Sequence, residues 1–498
     1  MIGLLCLLCS PLFPQSWVID YEGVPSGVTV FADAVMDEEG VAFLTGQEGE
    51  SHEKPETLVM RAEPDGNHSE YLHHKEGCHT QGTCLLELQD HHLFVAGLCH
   101  GPDDDSVMVL ILDKQLNLLH ERYYPKEVEA LSLGRCQATL DTHGQVIVAS
   151  SVRQSTPYPY YENHGVFFKF DPEGRLVSRR YLIEDYPSPV FYLSQFQLRQ
   201  MWYRDDETLL CLAPGYGGVM SFITFDSAFH YLGEHPIYRE GDTKSDHLLC
   251  DDCYTDHWFS EDEALVFSSN CDGEHSQLRV SRVNTQGEFL QYLPLHVRPD
   301  TLDEPANRRC MAAANDSTFY FSFYSHPYPY DPGVACVYLL NDQLDIIGRH
   351  LDDDHACYRS KLILPTPDGG CLAVNGICNC EYVVHEEHPY LHRLSRDDFE
   401  TVVWSVSDKD PGPSSGLTTR PAYPNPASDV LHIPLNLSVD DELRCQVLDP
   451  LGRIVSDQRI DTQKGTLHLH IAHLRPGAYH YRIYTPSQTL LTEPFIKP

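Results

Sequence analysis

The chain has 498 residues, with 73 acidic and 35 basic side chains and a formal net charge of −38. This charge excludes the proteins that bind nucleic acid by neutralising phosphates with lysine and arginine. Hydrophobic residues make up 42% of the chain and aromatic residues 10%, so it is not a disordered acidic tail. We expect roughly two to four folded domains from this length.

Residues 1–16 are predicted to be a signal peptide. The opening run MIGLLCLLCSPLF is typical of the apolar segment of a secretory signal, and we expect cleavage between Ser10 and Ser16. The run is too short to cross a bilayer, and no other stretch approaches about 20 apolar residues. The 17 cysteines favour an oxidising compartment. We therefore predict an exported protein with no transmembrane segment.

A pattern of two hairpins recurs seven times over residues 25–407. In each repeat, a β-rich run meets a tight turn and a second β-rich run follows it. The second hairpins turn at positions 50 to 58 residues apart, namely Glu63, Asp113, Asp171, Asp226, Asn284, Asn341 and Ser395. Asp and Asn suit such turns because their side chains bond to the backbone two residues further on.

Two hairpins per repeat give four strands, which is the size of a propeller blade. The sequence therefore predicts an all-β fold in which residues 25–407 form a seven-bladed β-propeller. A tandem of β-sandwiches is the alternative, because strand spacing alone does not exclude it.

Several cysteines fall at equivalent positions of the repeats, before the first strand or after the second. Antiparallel pairing places these two positions near each other. The candidate disulfides are Cys84–Cys99, Cys253–Cys271 and Cys357–Cys378. Cys78, Cys250 and Cys380 are competing partners, so the sequence leaves the connectivity open.

Metal sites and cofactors are not predicted. The histidines and cysteines nearest to a zinc pattern fit no standard spacing; they are His73, His74, Cys78, His79 and Cys84. The acidic runs at 103–105 and 352–354 lack the spacing of a calcium loop, so solvated loops are expected there.

Two repeats carry a tyrosine- and proline-rich insert between their second and third strands. Tyrosine offers a flat apolar face and a hydroxyl group, which suits the binding of sugars or peptides. Proline reduces the loop entropy that binding would cost. The predicted binding residues are Tyr158, Tyr160, Tyr161, Tyr328 and Tyr330. The alternative is that these tyrosines only cover the ends of repeats three and six.

No catalytic residue is predicted, because the chain has no G-x-S-x-G, H-E-x-x-H or P-loop motif. We therefore favour a binding or interaction role toward an extracellular protein or glycan over an enzyme. A secreted enzyme that degrades polysaccharide or peptide is one alternative, and a structural component of a surface coat is the other.

Residues 408–420 are rich in Pro, Gly, Ser and Thr and are predicted to be a linker. Six short alternating runs follow in residues 421–498, enough for a small Ig-like β-sandwich.

Three motifs in this last segment resemble the type A C-terminal sorting domain of type IX secretion. They are a Y-P-N-P-x-x-D opening, a D-x-x-G-R turn and an L-x-x-G-x-Y turn, followed by a terminal strand with a lysine. The residues that carry the resemblance are Pro424, Asn425, Pro426, Asp429, Asp449, Gly452, Gly477, Tyr479 and Lys497. The resemblance implies that the type IX machinery is a partner and that the protein passes through the periplasm. The mature protein is then expected to be secreted or attached to the outer cell surface.

Overall fold

The computed structural model divides the chain into an N-terminal unit, Met1–Glu400, and a C-terminal unit, Thr401–Pro498. It describes residues 16–21, 28–49, 55–101, 105–126, 131–155, 161–182, 198, 200–214, 220–237, 249–260, 262–271, 276–295, 301–305, 309–315, 317–327, 334–352, 358–378, 387–400, 418–419, 430–436, 444–448, 454–459, 466–484 and 489–497.

Both units are built from strands, and the described part of the N-terminal unit forms antiparallel groups of four or five strands, called sheets 1 to 7 here. A single parallel pair, Val28 with Glu387, joins the first of these groups to the last. Sheet 1 contains β2 (Val28–Met36), β3 (Ala42–Gly49), β4 (Glu56–Ala62) and β5 (His68–His73). Sheet 2 contains β6 (His79–Glu87), β7 (Leu93–His100), β8 (Asp105–Leu112) and β9 (Leu118–Pro125). Sheet 3 contains β10 (Leu131–Leu140), β11 (Val146–Ser155), β12 (Tyr161–Phe170) and β13 (Leu176–Tyr181).

The next sheets follow the same order along the chain. Sheet 4 contains β14 (Gln200–Tyr203), β15 (Leu209–Pro214), β16 (Met220–Phe225) and β17 (Tyr231–Pro236). Sheet 5 contains β18 (Leu249–Ser260), β19 (Glu263–Cys271), β20 (Ser276–Asn284) and β21 (Phe289–Leu295). In sheet 6, β22 (Thr301–Pro305) and β23 (Met311–Asn315) both pair with β24 (Thr318–Pro327), and β25 (Val334–Asn341) and β26 (Ile346–Asp352) follow.

Sheet 7 joins the two ends of the N-terminal unit. Its strands β27 (Tyr358–Pro365), β28 (Cys371–Cys378) and β29 (Glu387–Leu394) are completed by β1 (Trp17–Asp20), which pairs antiparallel with β29. Trp17 of β1 also donates its indole N–H to the Pro64 carbonyl oxygen in sheet 1, at 2.7 Å. Strand β1 lies before residue 25, where the sequence prediction began the repeats. A turn of 3-10 helix, Arg396–Asp398, follows β29.

The first strands of the sheets contact one another in a closed series. Strand β2 contacts β6, β6 contacts β10, and the series continues through β14, β18, β23 and β27 back to β2. Apolar side chains fill the spaces between successive sheets. Phe167 of sheet 3, for example, packs on Phe225 and Phe229 of sheet 4 with ring centroids 5.1 and 4.9 Å apart. The core therefore lies between the sheets, where each buried large side chain contributes about 1.5–3 kcal/mol.

The predicted turns are held by the side chains that open them. The Asp113 carboxylate accepts the N–H groups of Gln115 and Asn117, at 2.9 and 2.8 Å. Equivalent bonds start at Asp171, Asp226, Asn284 and Asn341. In sheets 2 to 6 these turns close the second predicted hairpin. The hairpin predicted at Ser395 is wrong, because a 3-10 turn follows that residue and β1 supplies the fourth strand of sheet 7.

The C-terminal unit contains the six predicted runs as strands. One sheet has the order β30 (Thr418–Thr419), β31 (Val430–Asn436) and β34 (Thr466–His470). The other has the order β33 (Ile454–Arg459), β32 (Arg444–Leu448), β35 (Gly477–Tyr484) and β36 (Thr489–Lys497). Their inward side chains form one core that includes Leu431, Val447, Tyr481 and Phe495.

No helix in the described ranges is long and apolar enough to cross a membrane.

Candidate functional site

The predicted binding tyrosines fall largely outside the described residues. Tyr158, Tyr160, Tyr328 and Tyr330 lie outside them, and Tyr161 begins β12 without a described side chain. The strands that flank them are described. The first insert joins β11 to β12 and the second joins β24 to β25. Both inserts therefore connect a second to a third strand, and the binding role of the tyrosines stays a prediction.

The predicted Cys84–Cys99 disulfide is wrong. Both cysteines are buried, and the register pairs Cys84 with Ala96 and Cys99 with Thr80. Cys84 packs into the core between sheets 2 and 3, whereas Cys99 packs into the core between sheets 1 and 2. A strand directs alternate side chains to opposite faces of its sheet, so these two thiols cannot meet.

Cys78, one of the competing partners, is the cysteine beside Cys99. Burial, together with a hydrogen bond to the Cys78 thiol, raises the pKa of Cys99 to about 11. Both residues contact the core between sheets 1 and 2. For the other two pairs, the side chains of Cys253, Cys271 and Cys378 are not described and Cys357 lies outside the described residues. Those bridges stay predictions.

Three charged residues on or beside the first strands, Asp33, Arg309 and Lys361, are called the inner-strand cluster here. Asp33 follows a bulge in β2, where the break in pairing directs its side chain toward the neighbouring first strand. Its Oδ2 accepts the N–H of Leu85 in β6 at 2.9 Å. Its Oδ1 lies 2.7 Å from Nε of Arg309, which precedes β23. The Arg309 carbonyl oxygen in turn accepts the N–H of Ile363 in β27, at 2.7 Å.

The Asp33–Arg309 pair therefore connects sheets 1, 2, 6 and 7. Asp33 is 7% exposed, and both carboxylate oxygens are occupied by N–H donors. A carboxylate held in this way serves as an anchor between the sheets.

Lys361 lies at a bulge of β27 and is equally buried. It lines a gap with Phe31, Asn375 and Pro389 that is too narrow for a water molecule. Among the described residues, Asn375 Oδ1 in this gap has no hydrogen-bond partner. The gap is packing between sheets 1 and 7, so it offers no room for a substrate.

In the C-terminal unit, the structure brings together the last of the sorting-motif residues. Gly477 and Lys497 are opposite each other in the pairing of β35 with β36. Tyr479 is buried, stacks on Phe495 with ring centroids 5.6 Å apart, and donates its hydroxyl hydrogen to the Arg475 carbonyl oxygen at 3.0 Å. The remaining motif residues lie outside the described residues, namely Pro424, Asn425, Pro426, Asp429, Asp449 and Gly452.

Sequence reasoning missed the Asp33–Arg309 pair, because its members belong to different repeats. The signal that was available is the charged residue within an otherwise apolar β-rich run, VTVFADAVM in β2. A charge in such a position needs a partner when the strand is buried.

Part of the chain is similar to a known protein family. The model of the family described as "Secretion system C-terminal sorting domain" matches residues 421–497. No curated protein matches the chain.

Solved structures similar to the chain include three with low identity. One is a protein of unknown function from Dyadobacter fermentans (9% identity, TM-score 0.40, 65% of this chain and 96% of that chain). Another is acylaminoacyl peptidase of Pyrococcus horikoshii (10% identity, TM-score 0.40, 82% and 58%). A third is polysaccharide lyase Uly1 (9% identity, TM-score 0.42, 73% and 89%).

The family match covers the segment that carries the three ordered motifs. It indicates export and then secretion or attachment to the outer cell surface, with handling by the type IX secretion machinery. Residues 421–497 of this chain belong to the type IX secretion C-terminal sorting domain family.

Proposed function

We propose that the N-terminal unit is a seven-bladed β-propeller that the sorting domain delivers to the cell exterior, where it binds a protein or a glycan. The observation that carries the proposal is the closed series of first-strand contacts from β2 through β27 and back to β2. In this proposal, each of the seven sheets is a blade, β1 closes the ring in sheet 7, and the C-terminal unit is an Ig-like sandwich.

A binding role is supported by the position of the two tyrosine-rich inserts. Each connects the second and third strands of its sheet, so in a propeller both would open onto the face that also carries the links between blades. Loops on a rigid scaffold are common sites of recognition. Tyrosine side chains lose little conformational freedom on binding, so they contribute contact area at low entropic cost.

The arrangement of the inner-strand cluster favours binding over catalysis. Enzymes that cleave glycosidic bonds commonly use two carboxyl groups with access to substrate, whereas Asp33 is held by Arg309 and Leu85. The degrading enzyme and the surface-coat component are separate outcomes of the test below.

The test replaces Tyr160 and Tyr330 together by alanine in the full-length protein. We expect loss of the signal on glycan arrays and in pull-downs of extracellular proteins, because the two flat apolar faces are removed. The matched control is Leu232→Ala, which removes an exposed apolar side chain in β17, 56% accessible.

Thermal unfolding of both variants should stay at the wild-type temperature. Binding that persists in the double variant would contradict the assignment of the tyrosines. Turnover of a polymer by the wild type and by the double variant would identify an enzyme. A wild type that binds no ligand and turns over no polymer would favour the coat component.

A further inference from the structure

A cluster of two histidines and one aspartate lies between sheets 6 and 7. His350 and Asp352 are two residues apart in β26, so their side chains project from the same face of that strand. His392 belongs to β29. One ligand atom from each of the three residues lies within 4.8 Å of the other two. The cluster therefore joins the last strand of one sheet to the third strand of the next.

The spacing between His392 and Asp352 suits a metal ion. Nδ1 of His392 lies 3.1 Å from Oδ2 of Asp352. Ligand bonds of about 2.0–2.2 Å in a tetrahedral zinc site place neighbouring ligand atoms about 3.3 Å apart. The two side chains are 16% and 6% exposed, so a bound ion would be largely shielded from water. The His350 ring meets the His392 ring edge to face, with centroids 5.2 Å apart.

His350 is held in the form that binds metal. Its Nδ1 lies 3.2 Å from the carbonyl oxygen of Asp398, which can only accept, so Nδ1 carries the hydrogen and Nε2 keeps its lone pair. A hydrogen bond of this kind, from the second ring nitrogen to a backbone carbonyl, orients metal-binding histidines in general.

We propose that His350, Asp352 and His392 bind one divalent transition-metal ion, with a water molecule as the fourth ligand. Two imidazoles and a carboxylate are a donor set that suits Zn²⁺ and its neighbours, and three protein ligands leave one position open. None of the three is a thiol, so an oxidising environment leaves the set intact. Two ligand atoms at the 4.8 Å limit are about 1.5 Å further apart than neighbouring ligands of a tetrahedral zinc ion. Rotation of the side chains would bring them to that distance.

The ion would act as a clamp at the point where the two ends of the N-terminal unit meet. His392 is opposite Val18 of β1 in the strand pairing, and β1 is the strand that completes sheet 7. An ion that binds only the folded protein stabilises it in proportion to the logarithm of its concentration over Kd. The site consists of residues of β26 and β29 and includes none of the tyrosines proposed to bind a ligand, so its test is separate from that of the proposed binding function.

The test uses the full chain after dialysis against EDTA, with Zn²⁺ as the probe. We expect one Zn²⁺ per chain by calorimetry and by native mass spectrometry, and a rise in Tm when Zn²⁺ is added. His350→Gln with His392→Gln should weaken binding by at least about 100-fold and abolish the rise in Tm, since losing even a supporting contact costs 10–100-fold. The matched control is His230→Gln, which breaks an exposed His–Asp pair of 2.8 Å and should leave Zn²⁺ binding unchanged.

Equal Zn²⁺ binding by the double variant, or its loss in Cys78→Ser instead, would overturn the assignment. If the double variant does not fold, the wild type still decides. Bound Co²⁺ should give the visible absorption of a tetrahedral site, and a wild-type spectrum equal to that of free Co²⁺ would overturn the proposal.

Discussion

Asp33→Ala is expected to lower the free energy of unfolding of the N-terminal unit by about 2–4 kcal/mol. The substitution removes the acceptor of three N–H groups, those of Ala34, Leu85 and Arg309. The Leu85 N–H then stays buried without its acceptor, and the guanidinium loses its counter-charge. The Leu85 N–H without its acceptor and the guanidinium without the Asp33 carboxylate each destabilise the folded state, because a buried donor loses its bond to water on folding and gains no bond in return.

Denaturant unfolding of the full chain measures this effect as a shift of the first transition midpoint. Asp65→Ala is the matched control, since Asp65 is exposed and accepts from Asn67 within its own turn. It should change the free energy of unfolding by about 0.5 kcal/mol or less. Asp33→Asn should fall between the two, because the amide oxygen keeps one N–H contact. A loss for Asp33→Ala no larger than that of Asp65→Ala would show that the pair does not hold the sheets together.

The strand content of the fold was predictable because the turns are local. Asp113 accepts N–H groups only two and four residues ahead, so the residue type at one position determines the turn. The same holds for the hairpins that open at Asp226 and Asn341.

One feature of these turns was not predictable. Leu116, Phe229 and Leu344 adopt positive φ angles of 65°, 64° and 59°. Apolar residues rarely adopt this conformation. All three are buried, so packing against the core offsets the backbone cost, and that depends on tertiary structure.

Contacts that depend on strand register or on the packing of different repeats could not be predicted from the sequence either. The Cys84–Cys99 prediction assumed that two strand ends face each other, but a shift in register at the bulge after Gly82 directs Cys84 to the other face. His350 and His392 belong to different repeats, and their rings contact each other in the folded structure. The prediction of no metal site rested on local spacings, which do not compare residues of two different repeats.

The sorting domain was identified for a different reason. Its motifs are local in sequence, and the match spans residues 421–497. Gly477 and Tyr479 belong to one turn and strand, and the carbonyl oxygen that Tyr479 contacts is only four residues earlier. The sequence alone did not show that Tyr481 is the largest buried side chain of this core. That depends on how the strands pair.

Tyr481→Ala is expected to destabilise the sorting domain by about 3–5 kcal/mol and to stop export. Tyr481 is fully buried in β35, in the core with Val447, Ile483 and Phe495, and removing a large aromatic side chain leaves a cavity. A domain of this size has only a few kcal/mol of stability, so most molecules would have an unfolded sorting domain.

Cell fractionation measures the result as the ratio of surface or secreted protein to periplasmic protein. We expect the variant to accumulate in the periplasm, whereas Val455→Ala in β33, where the side chain is 39% exposed, should be exported normally. Tyr481→Phe should restore export, because it keeps the ring that fills the core. If Tyr481→Ala is exported at the wild-type level although circular dichroism shows its sorting domain unfolded, the machinery must read the linear motifs and not the folded sheet.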